Sequence, residues 1–472
     1  MSLQRENMST VDTAWLHMER PTNLMMITGI MTFDAPLDLQ RLKALFEQRL
    51  LRFDRFRQRV VDPQRPLRGP RWELDPHFDL NAHVRRIGLP APGDKAALEN
   101  LVSDLMSTPL DFSKPLWQFH LVENFGAGCA LVGRLHHSIA DGIALVRVLL
   151  SLTDETADAV WINDSAARSP KSSPGLLRSL FGPAFTATQT TRKLTATLLH
   201  ESRAALQNPG RVVDLAKVGA GGAATLGKMA LRWPDPPTIF KGNLGVMKRA
   251  AWSNNMPLAE VKAVGSVTGS TVNDVLLTAV TGALRRTMQE RGVDTTGLNF
   301  RAMVPVNLRP LDEPIQLGNR FGLVFLALPI GIVDHLERLT ELKRRMDLLK
   351  DSPEAVVAIG VLGTMGMLPA DFEDLFISFF GSKATAVMTN VPGPREPIYL
   401  AGEQVQSLMA WVPQSGRLGL GVSIISYAGS VLVGVNTDAG LVPDPERVLD
   451  HLEIEFAEML ELARVAKETT DT

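Results

Sequence analysis

Cysteine is nearly absent: Cys129 is the single one in 472 residues. An internal disulfide is excluded, and this usage fits a reducing compartment. Cys129 lies in an apolar, strand-like run, so it reads as core rather than as a nucleophile. An excess of charge is also lacking. Forty-nine Lys and Arg oppose 51 Asp and Glu, a net charge of -2, and nothing in that balance points to nucleic acid. Residues 1–23 hold no continuous apolar stretch, so no secretory leader is expected. There is no short-period repeat and no extended low-complexity run. One uncharged stretch, 418–437, is long enough to span a bilayer. Its four glycines and the turn-like Ala428-Gly429-Ser430 predict instead two buried strands joined as a hairpin.

What is present is a globular composition, 45% hydrophobic and 21% charged, in a chain long enough for two domains. Strands are expected at 24–33, 56–61, 71–74, 117–123 and 128–136, with helices at 37–53 and 95–106. They make a first α/β unit, 1–165. Residues 166–249 then carry 13 Lys and Arg against 3 Asp and Glu, about +10, which leaves about -12 for the rest. The segment 166–244 reads as an interdomain connector of short helices. Its alternative reading is a basic surface that meets anionic lipid, for which Leu176, Leu177, Leu180, Phe181 and Phe185 beside Arg178, Arg192 and Lys193 are suited. A second unit, 245–472, is expected to hold helices at 257–267, 272–291, 334–350 and 444–467. Its strands are expected at 299–306, 321–329, 384–390 and 405–411, with the hairpin at 418–437.

The chemistry concentrates in His136-His137-Ser138-Ile139-Ala140-Asp141-Gly142, set between the strand ending at His136 and an apolar helix starting at Gly142. A strand-to-helix turn aims a side chain into a cleft. An imidazole, with an ordinary pKa near 6.5, accepts the proton of an attacking hydroxyl and passes it to a leaving group. A thioester suits this arrangement because thiolate leaves with little help, and the anionic tetrahedral intermediate needs a donor aimed at its oxygen. Adjacent strand residues face opposite ways, so His136 and His137 do not share a metal. One faces the cleft and the other packs behind it. Asp141 has three readings: cap of the following helix, partner of a distant arginine, or proton relay to His137. Gly142 fits a close backbone approach or a special dihedral. The other seven histidines form no cluster.

The turn resembles the HHxxxDG motif of the CoA-dependent acyltransferase superfamily. Its surroundings resemble the bacterial and plant wax ester synthase/diacylglycerol acyltransferase family. The resemblance rests on Leu89 to Gly93 (LPAPG), Pro109 to Trp117 (PLDxxxPLW), Thr271 to Leu277 (TVNDVVL-like) and Val304 to Arg309 followed by Leu317-Gly318-Asn319. It rests also on Thr389 to Pro394 (TNVPGP) and the opening Val11 to Leu16 and Arg20 to Asn23. These elements run in the family's order from residue 11 to about 440.

The resemblance implies two chloramphenicol-acetyltransferase-like α/β domains, mixed sheets flanked by helices, around a channel. A fatty acyl-CoA enters from one side and a long-chain alcohol or diacylglycerol from the other. It makes His137 the general base, His136 its support, and Asn273 either an oxyanion donor or a support for His137. Asp141 is then structural with Arg309 as its partner, Gly142 shapes the turn, and Asp274 is a cap or fold residue. Pro115, Leu116 and Trp117 shape the acyl pocket or brace the catalytic strand, and Ser138, Gly318 and Asn319 fall to substrate binding. Transfer is direct, without an acyl-enzyme, a bound cofactor or a metal. By composition, the apolar stretches 355–369 and 375–380 read first as ordinary core, with channel lining as the alternative. The implied place is cytoplasmic, with peripheral contact to the inner membrane face or lipid inclusions. Two competing readings are a condensation-type amide-forming acyltransferase and a non-catalytic lipid-surface scaffold.

Overall fold

The computed structural model describes residues 5–62, 69–159, 231–307, 315–350 and 381–470. In the first half the strands are β1 (Arg5–Asn7), β2 (Met26–Phe33), β3 (Gln58–Val61), β4 (Arg71–Leu74), β5 (Val84–Gly88), β6 (Trp117–Phe125) and β7 (Gly128–His136). The helices among them are α1 (Thr10–His17), α2 (Leu39–Leu45), α3 (Leu80–His83), α4 (Lys95–Ser107) and α5 (Gly142–Leu152). The second half opens with β8 (Lys248–Trp252), β9 (Met256–Pro257), α6 (Leu258–Thr268), α7 (Val272–Glu290), β10 (Phe300–Asn307), β11 (Phe321–Leu328) and α8 (His335–Lys350). It closes with β12 (Ala386–Pro392), β13 (Tyr399–Leu400), β14 (Glu403–Gln404), β15 (Ser407–Trp411), β16 (Leu420–Tyr427), β17 (Ser430–Asp438) and α9 (Glu446–Thr470).

Two mixed sheets organise these elements. The first has the order β15-β2-β7-β6-β5; the second runs β11-β10-β12-β16-β17-β8, with β9 also on β17. The stretch 418–437 is the expected hairpin: Tyr427 pairs with Ser430 across Ala428 and Gly429, both at positive φ, the geometry of a tight two-residue turn. Among the described residues no helix is long and apolar enough to cross a membrane. α7 is buried along most of its length, because Val275, Leu276, Ala279, Val280, Ala283 and Leu284 meet the sheet and the neighbouring helices. Its buried Thr278, Thr281 and Thr287 hydroxyls donate to carbonyls one turn back, so these three polar groups are satisfied within the helix.

The halves are not a simple tandem. β15 comes from the second half but completes the first sheet, pairing Trp411 with Thr28 and Ser407 with Thr32. In return, α4 of the first half covers the free edge of the second sheet. The N–H groups of Lys248, Ala250 and Trp252 donate to Ser107 Oγ, Ser103 Oγ and Glu99 Oε1 at 2.8, 2.9 and 3.1 Å. The periods match: four helical residues rise about 6 Å and two strand residues about 6.8 Å. An edge that would otherwise invite foreign strands is closed by side chains. The sequence reading did not place β8 at all. The basic segment 166–244 lies outside the described residues up to 230, as do 355–369 and 375–380.

Ser103→Ala removes the acceptor for the buried Ala250 N–H while leaving the helix intact. The expected loss is about 1–3 kcal/mol of stability, read as a lower urea midpoint with an unchanged slope.

Candidate active site

β7 delivers both histidines. His136 pairs with Met26 of β2, and pairing continues one step, His137 N–H donating to the Met25 carbonyl at 2.7 Å. The chain then turns: Ile139 N–H donates to the His136 carbonyl, and Ala140 bridges to Gly318. Asp141 ends the turn as the N-cap of α5. Its Oδ1 accepts from Ala144 N–H at 2.8 Å and its Oδ2 from Arg320 N–H at 2.9 Å. The carboxylate thus joins the start of α5 to the segment before β11. Arg309, the partner that the resemblance suggested, lies outside the described residues. Gly318 sits at φ +94°, a backbone conformation that glycine adopts without strain, beside the Asp12 carboxylate.

The His137 ring stacks on Trp15, centroids 3.9 Å apart and planes 12° apart, with Phe321 at 5.7 Å on its flank. Its Nδ1 lies 3.0 Å from Asn319 Oδ1. The orientation of that amide follows from its other contacts. Asn319 Nδ2 donates to Asp12 Oδ1 at 2.7 Å and to the His137 carbonyl at 2.8 Å, two atoms that accept. Oδ1 therefore faces the ring as an acceptor, and His137 Nδ1 carries the proton. Nε2 keeps its lone pair. His136 holds the opposite tautomer. Its Nδ1 accepts from Ser138 N–H at 3.1 Å, so its Nε2 bears hydrogen, 3.5 Å from Glu19 Oε2. Burial pushes the His137 imidazole down to about 4, against the raising pull of its own carbonyl and of Asp141. At neutral pH the ring is an uncharged base.

His137 lines a cavity of about 860 Å³ between the two halves. The second sheet supplies one wall: alternate residues Met303, Pro305 and Asn307 from β10 and Phe321 and Leu323 from β11 face in, and β12 adds Val387 and the consecutive residues Thr389, Asn390, Val391 and Pro392. The N-terminal turn of α7 supplies another. Thr271 and Asp274 close it with a reciprocal capping box, which accounts for Asp274. Asn273 lines the cavity, its Oδ1 accepting from Asn390 Nδ2 at 2.6 Å, which leaves its own NH₂ to donate. No bond joins Asn273 to His137 among the described residues.

Two expectations about the site change, the substrate role of Ser138, Gly318 and Asn319 and the backbone reason for Gly142, while Pro115, Leu116 and Trp117 take the second of their two readings and brace the catalytic strand. Pro115, Leu116, Trp117, Ser138, Gly318 and Asn319 do not line this cavity. They stand behind it. The Leu116 carbonyl accepts from His136 N–H, Trp117 Nε1 donates to the Phe56 carbonyl and its ring stacks on His83, and Ser138 and Asn319 fix one imidazole each. Gly142 has neither a close backbone neighbour nor a positive φ; the space where its side chain would stand is open and belongs to the cavity wall. Asp12, Trp15, Phe321 and Asn390 were given no role from sequence. For two of them a signal existed: Asp12 and Trp15 are three apart, hence on one face of α1. Among the described residues, His335, Glu455 and Glu458 come close enough to share an ion, but Arg286 and Arg338 already pair with those carboxylates, away from the cavity.

The chain matches the wax ester synthase/diacylglycerol acyltransferase catalytic domain over residues 8–276 and the WS/DGAT C-terminal domain over residues 317–460. A Mycobacterium tuberculosis protein named "Probable diacyglycerol O-acyltransferase tgs1" is 28% identical over 98% of this chain and 97% of its own. The structure of a wax ester synthase/diacylglycerol acyltransferase from Marinobacter aquaeolei VT8 superposes with a TM-score of 0.68 at 23% identity, covering 97% of this chain and 99% of that one. The first condensation domain of the calcium-dependent antibiotic synthetase superposes with a TM-score of 0.61 at 14% identity, covering 98% and 97%. The two-sheet α/β fold is thus shared with condensation domains, and the chain itself belongs to the wax ester synthase/diacylglycerol acyltransferase family.

Proposed function

We propose that this acyltransferase moves a long-chain acyl group from acyl-CoA to the hydroxyl of a long-chain alcohol or a diacylglycerol, directly and without an acyl-enzyme. The observation that carries the reading is the uncharged His137 ring, its Nδ1–H held by Asn319, lining a largely apolar cavity walled by both halves. In this reading Nε2 takes the hydroxyl proton as the oxygen attacks the thioester carbonyl. The Asn273 NH₂ donates to the oxygen that gains charge in the tetrahedral intermediate. Collapse expels the CoA thiolate, which His137 then reprotonates. Asp141, His136 and Ser138 hold the turn and do not touch the reacting atoms.

Cys129 supports direct transfer. Its thiol is buried, accepts from Leu37 N–H, and is pushed up to about 11 by desolvation, so it is no nucleophile. The apolar wall of Met303, Leu323 and Val387 suits a hydrocarbon chain in preference to a polar acceptor.

Two outcomes test this. With palmitoyl-CoA and hexadecanol or dipalmitoylglycerol, His137→Ala lowers kcat by about 10²–10⁴-fold, the usual worth of a positioned base, measured as CoA release and as ester formed. Ester synthesis at the wild-type rate by this variant would end the proposal. The wild-type acid limb of kcat/KM sits near pH 4 rather than 6.5, because burial disfavours the imidazolium. Asn319→Asp keeps an acceptor on Nδ1 but sets an oxygen where Asp12 and the His137 carbonyl need a donor, so the two carboxyls share one proton, the limb stays near that of the wild type and kcat falls. Asn319→Leu leaves the limb low and reduces kcat about a hundredfold through loss of the productive tautomer. A pH–rate series on the three proteins checks both results.

A further inference from the structure

His137 starts neutral but cannot act without becoming a cation. Once Nε2 takes a proton the ring is an imidazolium, buried where water gives it little help. Among the described residues few neighbours offset that charge. Asn319, on Nδ1, is a neutral amide. The Asp141 carboxylate acts on the ring through space, but its two oxygens already receive the N–H groups of Ala144 and Arg320. Asp12 reaches the ring only by way of Asn319. His136 opposes the charge, and Lys262 and Arg395 on the cavity wall have the wrong sign. Phe321 stands 5.7 Å off and 42° oblique. What lies directly on the imidazole is the indole of Trp15, centroids 3.9 Å apart and planes 12° from parallel. A cation within about 6 Å of an aromatic centroid is drawn to the negative face of the ring, most strongly for indole and away from water.

The place of that indole is built. Asp12 and Trp15, one turn apart on α1, both serve the ring, one through Asn319 and one by contact. Ala14, Met18, Met25 and Phe321 pack with Trp15 and leave it 8% exposed, so it does not swing off the imidazole. Its Nε1–H is buried and meets no acceptor among the described residues. A hydrogen bond therefore does not account for a tryptophan here, and phenylalanine would fill the place without stranding a donor. We infer that Trp15 is a catalytic residue, whose π face stabilises the imidazolium formed on His137 during acyl transfer. This rests on the general-base reading above. The proton leaves the acceptor hydroxyl for Nε2 as the new carbon–oxygen bond forms. It stays there while the carbon–sulfur bond breaks, and then passes to the CoA thiolate. The ring returns to neutral and the indole is unchanged.

The test keeps the shape of the indole and drains charge from its face. Nonsense suppression replaces Trp15 of the full chain by mono-, di-, tri- and tetrafluorotryptophan. Fluorine weakens the π face, and the greater acidity it gives Nε1–H has no acceptor to act on. The single-turnover rate of ester formation from palmitoyl-CoA and hexadecanol is expected to fall stepwise, about tenfold over the series, with acyl-CoA affinity unchanged. Trp15→Phe keeps a weaker face and loses less than Trp15→Leu, whose rate falls about 10–30-fold. Equal rates across the fluorinated proteins overturn the inference, whatever the leucine variant does. If the wild type forms no ester, the functional reading fails, and the contact is read instead by NMR titration of the His137 ring, identified by its absence in His137→Gln. Its midpoint is expected to fall by about one pH unit from tryptophan to tetrafluorotryptophan, the same tenfold. A midpoint indifferent to fluorine overturns the inference there too.

Discussion

The side-chain amide of Asn319 is the constraint on which the site depends. One nitrogen reaches two acceptors, Asp12 on α1 and the carbonyl of His137, and one oxygen receives the imidazole proton. Three chain segments far apart in sequence meet in that group. Because its donor face is committed, its acceptor face cannot rotate away, and the histidine has one tautomer open to it. A buried amide with every valence used specifies geometry more sharply than an apolar contact of the same size. The ring plane is set separately, by the stack on Trp15. Position, plane and proton of one imidazole are therefore controlled by different neighbours.

That arrangement requires the two halves to be built as one body. Asp12, Trp15 and His137 come from the first half, Asn319, Phe321 and Asn273 from the second. A cavity between two freely moving domains would not keep a hydrogen bond of 3.0 Å across it. The exchange of β15 into the first sheet and the cover that α4 gives to β8 answer this need. Both use backbone hydrogen bonds, which are directional, at the join. The buried pair Arg338 and Glu455, with Gly282 leaving room for the carboxylate, holds α7, α8 and α9 behind the second sheet. It sets the direction in which the first turn of α7, with Asn273, meets the cavity.

Local signals in the sequence were sufficient for most elements. The limits of β6, β7, α4, α7 and the 420–438 hairpin lie within a few residues of those read from periodicity and turn residues, because each is long, regular and ended by Gly, Asp or Thr. The His136 to Gly142 turn stood out for the same reason. What was not legible is whatever depends on tertiary pairing. β8 has no alternation and is a strand because β17 lies beside it. β15 was read as a strand, but nothing in its residues says that it crosses to the other sheet. Asn319 was assigned to substrate through the resemblance alone; its role comes from Asp12, 307 positions away. Gly142 was given a backbone reason, whereas its surroundings show only open space.

Burial of His137 connects stability with chemistry. An imidazole with an ordinary pKa near 6.5 when unfolded and about 4 when folded binds more protons in the unfolded state between those values. The fold is then fully stable with respect to this group above about pH 6.5 and loses stability as pH falls toward 4. His120 is pushed down to about 4 in the same way, by burial and by Arg134, so the two contributions run together. A surface histidine would avoid this cost. It would also be wet, and water next to a base and a thioester is a competing nucleophile. In the proposed transfer, the desolvation that depresses the imidazole would also keep water from the reacting carbonyl. A site that favours transfer over hydrolysis therefore carries a fold that is sensitive to acid, and the Asn319 amide, neutral itself, holds the ring without restoring the charge that burial removed.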